Sequence, residues 1–255
     1  MHQAKSSTGS YVFLKLLKHS NELKILQYLN AIKSANNHTI RLLDHMVLDI
    51  GTIIVLPWQS PLPTVLSYNC FPLAVGFLRR QFLEGVAFLH QHGIAHLDLK
   101  PDNVVVQGED QSTSPRLSII DFDISEHVTG VEAVLEGRCG TSGWRAPEVD
   151  MDDGSYSPIL ADRWSCGKMI QYFSGFIASG DGDEEMAAFA RRLLSSDPRS
   201  RPPLDEVLAL ATPVHNTRKR PSMDAPLDLP VKKQRRPQVV RLSNKHDTSD
   251  NTNTV

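Results

Sequence analysis

The chain has 255 residues, 40% of them hydrophobic, and a formal net charge of −2, a size that suits one core or two lobes of one and excludes a string of several domains. Its three cysteines, Cys70, Cys139 and Cys166, are widely spaced and odd in number, which supports neither a disulfide framework nor a zinc site and fits a reducing compartment. The opening MHQAKSSTGSY lacks a signal-peptide core and no apolar run approaches the roughly 20 residues of a membrane span, so a soluble intracellular protein is expected.

In chain order, YVFLKLL and GTIIVLP read as strands, and NELKILQYL between them carries Leu23, Ile25, Leu26 and Leu29 at near-helical spacing, which gives a small sheet with one helix. From Phe71 the pattern turns helical. FLRRQFLEGVAFLHQHG sets Phe77, Leu78, Phe82, Leu83, Val86 and Leu89 on one face and stops at Gly93, a favoured helix terminator. NVVV and RLSII are strand-like runs that a turn around Gly108 to Pro115 pairs as a hairpin, with Asp121 at the end of the second. DRWSCGKMIQYFSGFI and DEEMAAFARRLL are amphipathic again, so the second part is mostly helical. Beyond Pro213 the charge changes sign: nine Lys or Arg against four Asp or Glu leave 18 basic and 25 acidic residues on the rest. That segment is rich in Pro, Ser, Thr and Asn and has little apolar periodicity, so a folded domain over 1–210 followed by a disordered basic tail over 211–255 is expected.

The chemistry concentrates in GIAHLDLKPDNVVV. The hairpin brings Asp98, Lys100, Asn103 and Asp121 to one rim. Asn103 and Asp121 are oxygen donors of the kind that hold Mg²⁺, which takes few protein ligands and keeps water and phosphate for the rest. Lys100 can neutralise a phosphate, and Asp98 is left to orient or deprotonate a hydroxyl nucleophile.

At these residues the sequence resembles the eukaryotic protein kinase family. The resemblance runs from about Tyr11 to Leu210 through HLDLKPDN, DFD, GTSGWRAPE, DRWSCG and DPRSRP, five motifs in the family's order. It implies an α+β, two-lobed protein-kinase-like fold with a truncated β-rich amino-terminal lobe and a mainly helical carboxyl-terminal lobe. It further implies Asp98 and Lys100 as catalytic residues, Asn103 and Asp121 as metal ligands, Lys15 on the nucleotide phosphates with Glu22 as its ion-pair partner, and Leu56 and Trp58 beside the base, where Pro57 to Gln59 lie near adenine. Asp162 would brace the catalytic-loop backbone, Glu148 would pair with Arg201, and Thr141 would bond near Asp98 and Lys100. The cofactors implied are ATP and Mg²⁺, the partner is a protein substrate, and the LKPDN wording is similar to the serine/threonine branch. His96 reads as a core histidine bonded to backbone near Asp121, and Trp144 and Trp164 as core aromatics.

Four departures from the family pattern stand out. Only seven positions separate Lys15 from Glu22, which implies a trimmed loop and first helical turn. The 14 residues before Lys15 hold one glycine, Gly9, too few for the usual glycine-rich cover, which leaves a truncated chain as one expectation. Leu97 replaces the Arg that receives an activation-segment phosphate. Asp123 replaces the Gly of DFG at a place where backbone angles unfavourable to a Cβ are expected. Two functions follow: ATP-dependent transfer to Ser/Thr hydroxyls of proteins, or a pseudokinase acting as a binding module. In the tail, RKR at Arg218 to Arg220 and KKQRR at Lys232 to Arg236 resemble a bipartite nuclear localisation signal, which implies a nuclear import receptor as partner and a nuclear and/or cytoplasmic location. Neither a membrane nor a specific nucleic acid is expected as a partner.

Overall fold

A computed structural model describes residues 2–5, 9–17, 19–68, 72–107, 114–151, 154–177 and 181–210. The expected tail over 211–255, with its basic clusters, lies outside the described residues.

The first part is a sheet backed by one helix. Strands β1 (His2–Lys5), β2 (Tyr11–Leu16), β3 (Asp44–Leu48) and β4 (Gly51–Pro57) are antiparallel in the order β1-β2-β4-β3. Two of these, β1 and β3, are absent from the sequence reading. Neither shows alternating burial: β1 is the polar HQAK, and all five residues of β3 are exposed, so the period-2 signal that announces a strand is missing. Helix α1 (Asn21–Ala31) buries Ile25, Leu26 and Leu29, and its Asn21 side chain donates to the Ser125 carbonyl at 2.7 Å. After α1 the chain is tied to the second part by backbone bonds from Ile40 N–H to the Ile119 carbonyl at 2.9 Å and from Ile119 N–H to the His38 carbonyl at 2.7 Å.

The second part begins with β5 (Ser60–Pro61), α2 (Leu62–Ser67) and the long α3 (Pro72–Gln91). On α3, Leu78, Phe82, Leu83, Val86 and Leu89 are fully buried, while Phe77, expected on the same face, is 45% exposed. Gly93 ends this stretch at φ +68°, and a Cβ there would come within 2.6 Å of the Val128 carbonyl oxygen, so only glycine fits. Then come β6 (Ile94–Ala95), β7 (Val104–Gln107), β8 (Arg116–Ile119), β9 (Glu126–His127), β10 (Leu135–Glu136) and β11 (Ser155–Tyr156), followed by α4 (Pro158–Ser174), α5 (Asp181–Leu193) and α6 (Asp205–Leu210). The β7–β8 hairpin forms as expected, in a register that sets Val104 opposite Ile119.

One apolar core runs through both parts, from Leu26, Leu29 and Ile54 to Phe82, Phe122 and Phe173, each at or near zero exposure. Each such side chain contributes about 1.5–3 kcal/mol by leaving water. A second, smaller cluster gathers Leu97, Val128, Val149, Tyr156 and Ile159 beneath the segment 121–148. The architecture is mixed α+β, sheet first and helices second.

Candidate active site

The hairpin register explains the rim. With Val104 facing Ile119, Asn103 and Asp121 fall at the same end of the ladder, one just before β7 and one just after β8. The Ile120 N–H donates to the Asn103 carbonyl at 3.0 Å and closes that end. Pro101–Asn103 form a single 3-10 turn that swings Asn103 under Asp98, where its amide nitrogen donates to the Asp98 carbonyl at 2.8 Å and to Asp98 Oδ2 at 2.9 Å.

The Asp98 carboxylate accepts three side-chain hydrogen bonds, one of them from Asn103. Lys100 Nζ donates to Oδ2 at 2.6 Å, Thr141 Oγ1 donates to Oδ1 at 2.7 Å, and Lys100 Nζ also donates to Thr141 Oγ1 at 2.6 Å. Burial pushes the Asp98 carboxyl up, but the bonds from Lys100 and Thr141 and the charge of Lys100 outweigh it and hold the group below its ordinary value. Beneath it, His96 is fully buried, which drives its imidazole toward the neutral form. Its Nε2–H donates to the Ile120 carbonyl at 3.0 Å, and Nδ1 is then the acceptor for the Asp98 N–H at 3.3 Å. Asp162 on α4 braces the loop from below: His96 N–H and Leu97 N–H donate to its two oxygens at 2.6 and 2.8 Å, and His90 Nε2 approaches at 3.1 Å. These bonds hold Leu97 at φ +67°, a left-handed conformation that a leucine does not adopt unaided.

Across the cleft, Lys15 on β2 reaches both Glu22 on α1, at 2.6 Å, and Asp121 Oδ1, at 2.5 Å. Toward Glu22 Oε2 the approach lies outside hydrogen-bond geometry, so that contact is an ion pair without a directed bond. Glu22 is 1% exposed; burial raises its carboxyl above the ordinary value against the opposing pull of Lys15. Burial lowers the Lys15 ammonium, and the bond to Asp121 together with the charge of Glu22 reverses the sign, so that it stands raised. The short spacing of Lys15 and Glu22 therefore still allows them to meet.

These groups line a cavity of about 200 Å³ with Phe13, Ile40, Leu56, Gln59, Val105 and Ile120 among its walls. Leu56 lines this cavity. Trp58 is absent from the lining: its backbone N–H is drawn to the Tyr11 carbonyl at 3.4 Å, and Pro57 and Gln59 build the wall at that level. Asn103 and Asp121 both face the cavity, and with the Asn103 amide nitrogen committed to Asp98, its Oδ1 remains as an acceptor. Among the described residues no group of three His, Cys, Asp or Glu could hold a metal ion. One amide oxygen and one carboxylate instead fit a hard divalent cation that keeps oxygen ligands from water and phosphate.

A family profile described as a protein kinase domain matches residues 7–177, more than half of the chain. The chain belongs to the protein kinase family. Relatives include serine/threonine-protein kinase 17A of Oryctolagus cuniculus, 39% identical over 114 residues, covering 44% of this chain and 27% of that protein. A calcium/calmodulin-dependent protein kinase kinase of Caenorhabditis elegans is 29% identical over 162 residues, 63% of this chain and 27% of that protein. CBL-interacting protein kinase 8 of Oryza sativa is 38% identical over 91 residues, 36% of this chain and 19% of that protein. The chain thus spans well under half the length of these relatives. Protein kinase domains in general use ATP and a divalent metal.

For the kinase domain, the structure brings Asp98, Lys100, Asn103 and Thr141 into one hydrogen-bonded group and gathers Glu22 and Asp121 as ion-pair partners of Lys15. Glu148 and Arg201 form a bidentate pair at 2.5 and 2.8 Å. Asp123 departs from expectation: among the described residues the non-glycine positions with positive φ are Leu97 and Asp121 (φ 70°), so the Asp in place of Gly meets no left-handed strain. Gln59, which the sequence reading set with Pro57 and Trp58 near the base, lines the cavity.

Proposed function

We propose that the domain transfers the γ-phosphoryl group of ATP to serine and threonine hydroxyls of protein substrates. The observation that supports this most directly is the threefold hydrogen-bonding of Asp98, which keeps its carboxylate ionised and aimed from a braced loop. Asp98 orients the incoming hydroxyl and takes its proton as the new P–O bond forms and the bond to the leaving diphosphate breaks. Lys100, fixed between Asp98 and Thr141, carries the positive charge nearest the reacting group. Lys15 holds phosphate oxygens, and Asn103 and Asp121 supply oxygen donors for Mg²⁺, which neutralises phosphate charge when bound. The Lys two residues after Asp98 supports the Ser/Thr branch.

A second reading is a nucleotide-binding module without turnover. The deciding experiment incubates purified full-length chain with Mg²⁺ and γ-labelled ATP on generic basic and acidic proteins, with phosphoamino-acid analysis. Label on Ser and Thr is expected; nucleotide binding without label would favour the module. The basic clusters at Arg218 to Arg220 and Lys232 to Arg236 are read as ligands for a nuclear import receptor, so a fluorescent fusion lacking 211–255 should leave the nucleus.

A further inference from the structure

A second cavity, of about 580 Å³, lies apart from the candidate active site and shares no lining residue with it. Its volume is that of pockets which enclose a ligand. One wall is the stretch 131–134 of the segment 121–148; the facing wall is the start of α4, with Leu160 and Arg163, and the turn at Pro198. Ser157 Oγ, at the head of α4, donates to the Val131 carbonyl at 2.6 Å and ties the two walls together.

Arg163 is the unsettled group in this cavity. Its Nη1 donates to the Arg201 carbonyl at 2.9 Å, but its Nε is buried without a hydrogen-bond partner and its Nη2 makes no bond among the described residues. Nε and Nη2 form one edge of the guanidinium, the pair of parallel donors that a carboxylate takes up with both oxygens. The acids nearby are already engaged. Glu148 is gripped by Arg201, Glu132 faces Arg199 at 3.4 Å, and Asp197 accepts the Arg199 N–H at 3.1 Å. Burial pulls Arg163 below its ordinary ionisation range, and Asp205 and Glu206 oppose this only through space, with Glu206 itself paired to Arg192 at 2.8 Å. A buried donor left in this way is unfavourable until a ligand completes it.

The same balance sets the charge of the occupant. One free guanidinium edge matches one negative charge, so a polyphosphate, which needs several cations, is a poor fit. The surroundings are apolar: Val131 and Val134 are exposed at the segment, and Tyr156, Leu160 and Pro198 share the lining. We propose that this cavity is a docking site for an extended peptide stretch of a protein partner, in which one Asp or Glu side chain takes the Nε–Nη2 edge of Arg163 and flanking apolar side chains cover Val131 and Val134. The bound stretch bridges α4 and the segment 121–148, and so orders that segment without a phosphate. The site stands independently of the nucleotide reading above.

The test uses the full chain and a random heptapeptide library displayed on phage, selected in parallel on wild type and Arg163→Met. Wild type is expected to enrich sequences with Asp or Glu between apolar residues, and Arg163→Met to lose that enrichment. The leading peptide is then made with an amidated carboxyl terminus and titrated by fluorescence anisotropy beside its Asn or Gln counterpart. The acidic form is expected to bind wild type at least about tenfold more tightly than the amide form, and Arg163→Met to bind the two within about twofold of each other. Hydrogen exchange at 131–134 is expected to slow when the acidic peptide binds. Should Arg163→Met not fold, Val134→Asp, which sets a like charge on the exposed lip, is expected to weaken the acidic peptide by about tenfold and leave the amide form within about twofold. Enrichment without acids overturns the proposal, as does a charge preference that survives these substitutions or binding that leaves exchange at 131–134 unchanged. Tighter binding of a phosphoserine counterpart overturns the assignment of a carboxylate. None of these readouts needs turnover, so docking without phosphate transfer sustains this inference while sinking the catalytic reading, and transfer without docking does the reverse.

Discussion

The two parts of the domain hold their charges differently. In the helical part, Arg201 has no side-chain exposure, grips Glu148 with two parallel bonds, donates to the Ser195 and Leu160 carbonyls and stacks 5.1 Å from the Trp164 ring. Asp162 and Asp98 are each satisfied by at least three donors. In the sheet part a single ammonium, Lys15, is shared between two carboxylates, one of them at poor angle. The first arrangement is over-determined and sets a shape; the second is thinly tied and open to a ligand. Preorganisation therefore belongs to the half proposed to orient the hydroxyl, while the half proposed to hold the nucleotide depends more on what it binds.

The largest effect that can break this contrast is Asp98→Asn. Transfer should fall about 10²–10⁴-fold in kcat, with KM for ATP and melting temperature little changed. Because the Asp98 carboxyl is held below its ordinary value, the acid limb of kcat should lie below the usual carboxylate range, and Thr141→Val, by removing one bond to the ionised form, should move that limb to higher pH. A wild-type rate in Asp98→Asn would end the assignment.

Next, Glu148→Gln should destabilise by about 3–5 kcal/mol, since it leaves a buried guanidinium without its counter-charge. Lys15→Met should do less, about 1–2 kcal/mol at neutral pH, because the buried Glu22 carboxyl, already raised, can take up a proton instead. The sign follows from proton counting. The folded variant binds more protons than the unfolded chain between the two pKa values of Glu22, so its stability falls as pH rises through that window and recovers on acidification. Chemical denaturation across pH would show it; equal losses in the two variants at every pH would erase the contrast.

The smallest effect concerns the segment 121–148. Leu97 is 8% exposed and packs with Val128, Val149 and Tyr156 where a phosphate-binding Arg would otherwise stand. Arg145 Nε is bonded to Asp150 at 2.5 Å, and Arg138 also donates to the Asp150 carbonyl. Ser125 is fully buried and donates to the His96 carbonyl, which removes it as an accessible acceptor and leaves Thr129 exposed. Phosphatase treatment and Thr129→Ala should therefore leave the transfer rate within about twofold; a large drop in either would mean that phosphate organises the segment after all.

Much of this was legible in the sequence because the relevant signals are local. The i, i+3, i+4 pattern of α3, the two strand-like runs and the motif HLDLKPDN are each written in contiguous residues. Phe77 misled because it sits at the margin of the α3 stripe, and β1 and β3 escaped because an edge strand with no buried face has no period to read. The cavity wall was harder still. Whether Trp58 or Gln59 turns inward depends on where the Trp58 N–H finds its acceptor, a strand-pairing fact that spans more than forty residues of sequence.

Asp121 sits at φ 70°, a conformation worth on the order of 1 kcal/mol against a residue with a Cβ, and shares its cation with a second carboxylate. Glycine there would relax the backbone and remove the crowding of charge. A random library of this domain selected only for survival of heat should thus accumulate changes at position 121 early, and the same drift should overtake any lineage released from the need to turn over its substrate.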